Sequence, residues 1–219
     1  MTGKIKLPHA SGGSMSIAAP GNQPSGDLTL QLPNTVGTGK INHGNVLEQF
    51  YSPCDGSAIT VPSGTYTVEN VSALQNLTTS YADVTGSSIA YTPPAGTTQV
   101  IYRFKYHWAR DGDTSARASF RFYIDSDEVT NARWANGAGG GAGIQGVSIF
   151  EWGINIGSSA VAATGRQATW TSNKTLKIQA REYTSSAEES LHNIFYWDGS
   201  ETDTFSQPLI GITAIGTPA

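Results

Sequence analysis

The sequence predicts an all-β protein: an N-terminal extended arm with short strands, followed by an antiparallel jelly-roll β-sandwich. Three observations carry that expectation. Charged residues make up 14% of the 219, well under the roughly 25% of an average globular chain, so the Glu, Lys and Arg of solvated helices are scarce. Gly, Thr and Ser number 25, 24 and 23, which favours turns and strands over helices. Several segments alternate apolar and polar residues with period two, the signature of half-buried strands. Five Trp, nine Tyr and seven Phe supply too many rings for a chain disordered throughout.

The first 45 residues contain no Trp, Tyr or Phe. They hold short apolar pieces, Ile5 and Leu7, Met15 and Ile17, then Leu28, Leu30 and Leu32, bounded by Pro8, Pro20, Pro24 and Pro33. Each piece is strand-like but too short to bury its own apolar face. Such a region cannot offset its conformational entropy as a lone chain. It is expected to be a flexible arm, to intertwine with copies of itself, or to dock on a larger surface. Residues 46–51 (VLEQFY) read as a helical turn or a strand, and residues 46–70 as a turn-rich linker.

A head is expected over residues 71–219, with about eight strands and no convincing helix. In 100–108 Val100, Tyr102, Phe104, Tyr106 and Trp108 share one face, against Ile101, Arg103, Lys105 and His107. In 118–124 Phe120, Phe122 and Ile124 fall together. In 147–156 Phe150, Trp152, Ile154 and Ile156 do so, and in 174–181 Leu176, Ile178 and Ala180. Segments 191–197 and 209–215 are apolar on both faces. For the last strand, with Leu209, Ile210, Ile212 and Ile215, that requires cover on both sides. One side is the sandwich core; the other is a neighbouring subunit or the interior of a monomer.

The net charge of −4 and the lack of a basic stripe exclude the electrostatic footprint of a nucleic-acid binder. The single Cys54 excludes an intrachain disulfide. No apolar run approaches the roughly 18 residues of a membrane span, and the first residues lack the apolar core of a signal peptide. The run 137–146 contains Gly141-Ala-Gly143-Ile-Gln-Gly146, which matches the dinucleotide fingerprint. That chemistry needs a helix to follow, and a strand follows, so the run reads as a loop. Asp125-Ser-Asp127-Glu128 lacks the spacing of a calcium loop and reads as a charged turn. His9, His43, His107 and His192 are isolated, Cys54 has no nearby His, and no nucleophile elbow occurs. No catalytic residue, cofactor site or metal site is assigned. Trp134, just before the Gly-rich run, and Trp170, between Thr169 and Thr171, are candidates for stacking on a glycan or receptor, weighed against a place in the core or in a subunit contact.

The opening GKIKLPHASGGSMSIAAPGNQPSGDLTLQLPNTVG resembles the N-terminal module of virion fibre proteins from marine tailed bacteriophages. Residues 77–105, 163–178 and 205–215 resemble parts of their C-terminal heads. The resemblance implies a homotrimer with a TNF-like jelly-roll tip. It implies an arm that attaches to the particle through Ile5, Leu7, Leu28, Leu30 and Leu32, and a trimer interface at Leu209, Ile210, Ile212 and Ile215. This chain joins arm and head directly, without the repeats of longer members, so a short appendage on tail or capsid is expected. The expected partners are two further copies, other virion proteins and host surface polysaccharide. A capsid decoration protein, a monomeric carbohydrate-binding module and a depolymerase are the competing readings.

Overall fold

The computed structural model describes residues 4–8, 14–18, 46–110, 116–138, 144–186 and 189–217. The chain divides into two compact units, Met1–Asn42 and His43–Ala219. In the first, β1 (Lys4–Pro8) and β2 (Ser14–Ala18) form an antiparallel pair that sets Ile5 opposite Ile17 and Leu7 opposite Met15. Of the expected anchor positions, Leu28, Leu30 and Leu32 lie outside the described residues.

The second unit is the head. Its strands are β3 (Val46–Pro53), β4 (Ala58–Val61), β5 (Gly64–Thr67), β6 (Gln75–Asn76), β7 (Ala82–Asp83), β8 (Ile89–Tyr91), β9 (Thr97–Arg110), β10 (Ala116–Ile124), β11 (Asp127–Glu128), β12 (Trp134–Ala138), β13 (Ile144–Asn155), β14 (Lys174–Glu182), β15 (Glu189–Leu191), β16 (Asn193–Trp197), β17 (Ser200–Phe205) and β18 (Leu209–Gly216). One sheet runs β3-β18-β9-β15-β6, with β13 on the far side of β9; the other runs β11-β10-β14-β7, with β12 beside β10 and β8 beside β14. The strand pairs are antiparallel, and the chain crosses repeatedly between the layers, giving the all-β jelly-roll sandwich that the alternation predicts.

β9 is the spine. Val100, Tyr102, Phe104 and Tyr106 are buried and face the second sheet, whose β10 and β14 present Phe120, Phe122, Leu176 and Ile178. Rings interlock across the layers: Tyr102 lies 5.1 Å from Phe122, Phe122 5.2 Å from Phe150, and Tyr106 5.7 Å from Phe120. These aromatic pairs add about 0.5–1.5 kcal/mol each beyond their area burial.

Residues 46–70 are not a linker. β3 pairs with β18 along its length, from Pro53↔Leu209 to Val46↔Ile215. Cys54, Tyr66 and Val68 are core residues. Turns punctuate this segment so closely that its four-residue strands β4 and β5 carry little alternation to read. Burial pushes the Cys54 thiol up to about 12, with Glu69 and Asp55 adding to the effect; Sγ donates to the Gly86 carbonyl at 3.3 Å, so this thiol is inert.

Two faces of β18 also need correction. Ile210 and Ile212, expected at a trimer interface, are 0% and 1% exposed inside the sandwich of a single chain. The outer face carries Leu209, Gly211, Thr213 and Ile215. Tyr51 of β3 lies over Gly211, where a Cβ would meet the ring at 2.0 Å. Segment 191–197 is likewise not one strand. His192 takes a left-handed backbone (φ 61°), which ends β15 and redirects the chain into β16.

Candidate functional site

The two ends of the head differ. Val46, where the chain enters, pairs with Ile215, which pairs with Gln99 near the start of β9. The far end is set by Arg110 of β9, which pairs with Ile144 on one side and Glu189 on the other. The residues of interest gather at this second, distal end.

A hairpin stands there. β16 and β17 pair with each other and belong to neither main sheet. Their two-residue turn, Asp198-Gly199, has φ of 52° and 76°, both left-handed, as a tight type I′ hairpin requires. The Gln145 carboxamide oxygen accepts from the Phe195 and Tyr196 amides at 2.8 and 3.0 Å and ties the hairpin to β13. Tyr196 and Trp197 next to the turn are 41% and 59% exposed. Both side chains thus leave apolar ring surface in water beside the turn.

Beside the hairpin base is a recess of about 320 Å³, with Glu182, Glu189, Asp203, Ser185, Ser190 and Asn76 in its wall. β14 supplies Glu182, β15 supplies Glu189 and Ser190, and β17 supplies Asp203. Asn193 braces this wall: its amide nitrogen donates to Ser190 Oγ at 2.7 Å and to Asp203 Oδ1 at 2.6 Å, and its oxygen accepts from the Thr204 amide at 3.1 Å. Glu189 is 1% exposed. Its Oε1 accepts from Asn136 Nδ2 at 2.6 Å, and its Oε2 has no hydrogen-bond partner. Burial, with the Glu182 carboxylate adding to it and the Asn136 bond opposing, pushes the Glu189 carboxyl up to about 7. Among the described residues no cluster of His, Cys, Asp and Glu is arranged to hold a metal ion, and no helix is long and apolar enough to cross a membrane.

His192 supports the same end from inside. Its Nε2 lies 3.0 Å from Thr85 Oγ1, its amide donates to the His107 carbonyl at 2.6 Å, and its carbonyl accepts from the Ser206 amide at 2.8 Å. Desolvation pushes its pKa down to about 4, so the ring is neutral.

The stacking residues expected from sequence lie elsewhere. Trp134 stacks on Phe120 (4.7 Å, 8°) and on Phe150 (4.3 Å, 16°), so its ring surface is committed within the chain. Trp170 is 5% exposed, meets Tyr91 edge-on at 6.1 Å and donates its indole N–H to the Tyr91 carbonyl at 3.1 Å. Trp170 is a core residue, and Trp134 is partly buried and packed against the core. The exposed indole is Trp197. A legible signal for it was the Tyr-Trp pair immediately before Asp-Gly, a hairpin turn signature. Of the Gly-rich run, residues 139–143 lie outside the described residues. Gly146 belongs to β13, where a Cβ would meet the Trp108 ring at 2.7 Å.

No family model matches this sequence, and no curated protein matches it. Solved structures similar in outline include that of the infectious bursal disease virus Gx strain, at 9% identity and a TM-score of 0.34 over 94% of this chain and 52% of that one. The Gt strain structure gives 10% identity and a TM-score of 0.31 over 94% and 51%. The chain spans about half the length of the chains it matches, and both likenesses are distant.

Proposed function

We propose that this chain is a non-enzymatic virion structural protein, a short trimeric tail or capsid fibre. Its N-terminal arm attaches to the particle, and its head turns the distal end toward the host surface. The observation that carries the reading is polarity within the head. The strand that follows the arm enters at one end, and the recess and the exposed Tyr196–Trp197 hairpin lie at the other. The resemblance of the arm and of the head segments to phage fibre proteins supports the same assignment.

The trimer contact in this reading uses the outer face of the β3-β18-β9-β13 sheet rather than Ile210 and Ile212. One row across it is Pro53, Leu209, Lys105 and Ile149, and the next pair along is His107 and Val147. Ile149 and Val147 are 58% and 50% exposed. Leu209 and Ile215 are partly buried there already.

Light scattering on the purified full chain should give about three times 23.1 kDa, and Ile149→Glu with Val147→Lys should reduce it to one. A wild-type monomer at micromolar concentration would refute the trimer. Removal of residues 1–45 should abolish incorporation into particles, and Trp197→Ala should reduce adsorption to cells with incorporation intact. Adsorption unaffected by Trp197→Ala together with loss of the hairpin tip would refute the distal end as the contact surface.

A further inference from the structure

We propose that the outer face of the second sheet binds an anionic group, carboxylate or sulfate, carried by an acidic polysaccharide. The ladder fixes which side chains share that face. Phe120, Phe122, Leu176 and Ile178 of β10 and β14 are buried in the core, so the alternate positions Arg121, Lys177, Gln179 and Arg181 point out. The register sets Arg121 opposite Gln179 and Ser119 opposite Arg181. On the other side of β14, Asp83 lies opposite Gln179 and Ala82 opposite Ala180, so Tyr81 falls next to Arg181. Guanidiniums from two strands converge on that ring: Arg121 Cζ lies 3.8 Å and Arg181 Cζ 5.3 Å from the Tyr81 centroid. Arg133 stands beside them. Its Nε donates to Glu128 Oε1 at 2.5 Å, and Arg121 Nε lies 3.5 Å from the same oxygen.

Among the described residues, three arginines thus stand around one tyrosine, with the Glu128 carboxylate shared between two of them. The other acid on the face, Asp83, is already taken by Lys177 Nζ at 2.9 Å and Gln179 Nε2 at 2.8 Å. The local balance is positive in a chain whose net charge is −4. The Arg133 and Arg121 side chains remain 54% and 33% exposed in spite of their ion pairs. A guanidinium resting on a ring keeps its planar fork of N–H donors for acceptors and gives up little freedom when it binds them. That fork matches the paired oxygens of a carboxylate or sulfate. The Ser119 hydroxyl and the Gln179 carboxamide on the same face suit the hydroxyl groups of the sugar that carries the anion. The cluster is small and the chain as a whole is acidic, so it fits single anionic groups spaced along a sugar chain. A continuous polyelectrolyte such as nucleic acid would meet repulsion beyond the patch. The site lies on the second sheet, whereas the proposed trimer contact uses the first, and it depends on neither the exposed hairpin nor the virion reading.

The test is calorimetric titration of the purified full chain with alginate, dextran sulfate, neutral dextran and a single-stranded oligonucleotide. Alginate or dextran sulfate should bind and dextran should not; the tighter of the two names the anionic group as carboxylate or sulfate. Raising the salt from about 0.05 M to about 0.5 M should weaken binding by about tenfold or more. Arg121→Gln and Arg181→Gln should each lose about tenfold in affinity, with unfolding midpoints near that of wild type. Tyr81→Leu keeps both charges and removes the ring that orients them, and it should weaken binding as well. Arg166→Gln removes the same charge elsewhere, beside Gln99 and Asn155, and should leave binding nearly unchanged. No binding of either acidic polymer, or equal binding of dextran or of the oligonucleotide, overturns the proposal. So does a loss in Arg166→Gln as large as in Arg181→Gln, which would reduce the effect to net charge.

Discussion

Glu189→Gln has a consequence for stability that is set by burial. Glu189 is buried, and its carboxyl is raised from 4.5 to about 7. A raised carboxyl means that the folded state holds its proton at pH values where the unfolded chain has released it. Stability is therefore unaffected below about 4.5 and declines as pH rises through the interval up to about 7, then levels off. With one pKa unit worth about 1.4 kcal/mol, the full penalty is on the order of 3 kcal/mol, of which about 2.5 kcal/mol falls between about pH 5 and about pH 8. Gln keeps the shape and the acceptor toward Asn136 and cannot ionise. Urea unfolding of wild type and variant at both pH values checks this. The variant should gain on wild type by about 2–3 kcal/mol on going to the higher pH, seen in the denaturant midpoint at constant slope. A stability difference that does not change with pH would refute the reasoning, since it would mean that Glu189 is solvated and ordinary.

His192 predicts the opposite limb. Its pKa is lowered from 6.5 to about 4, so the unfolded state takes up a proton first and stability falls as pH drops through that interval; His192→Asn, which tolerates the left-handed backbone, should flatten this limb by up to about 3 kcal/mol in acid-denaturation curves. Trp134→Ala and Trp170→Ala should each destabilise the head by about 2–4 kcal/mol by thermal or denaturant unfolding, as lost core rings do, and a variant of unchanged stability would return that ring to the surface. Gly216→Ala should cost about 2 kcal/mol or more, because its Cβ would lie 2.1 Å from the Gly96 carbonyl oxygen, a backbone atom that cannot swing away; wild-type unfolding midpoints would show that the strand shifts freely.

The sandwich was legible because period-two alternation is strongest where a strand has one wet face. β9, β10, β13 and β14 are of that kind, and their inward sets follow the alternation, with Trp152 and Ile156 only partly buried. β18 was legible as a strand but not in its partition. Ile210 and Ile212 look like candidates for a second interface until β3 is known to flank the same strand and Tyr51 to cover Gly211. The linker reading of 46–70 failed for a related reason. β3 depends on pairing with distant β18, about 160 residues along the chain, and nothing local records it, while the short β4 and β5 pair only with each other among the described residues. The packing of the two aromatic candidates was not legible because sequence neighbours say nothing of what a ring packs on. Trp134 is flanked by Arg133 and Ala135 yet stacks on Phe120 and Phe150. The recess was invisible in sequence. Its acids come from β14, β15 and β17, and only the fold brings them to one wall.

The distal end also bears on why a chain so poor in charge keeps these acids. A buried carboxylate with an orphan oxygen beside a second carboxylate is a cost that Gln at position 189 would remove without loss of packing. Local rules of stability are broken mainly where function requires it. The head breaks them twice at one end, at the Glu189 carboxylate and in the exposed indole of Trp197. At the other end the large rings are buried and bonded: Tyr91 donates to Glu48 at 2.5 Å, and Trp170 donates to Tyr91. If the distal end were only a cap for the sandwich, selection for stability would act on both ends alike. Under the proposed function, the asymmetry belongs to a head held at one end and recognising something at the other.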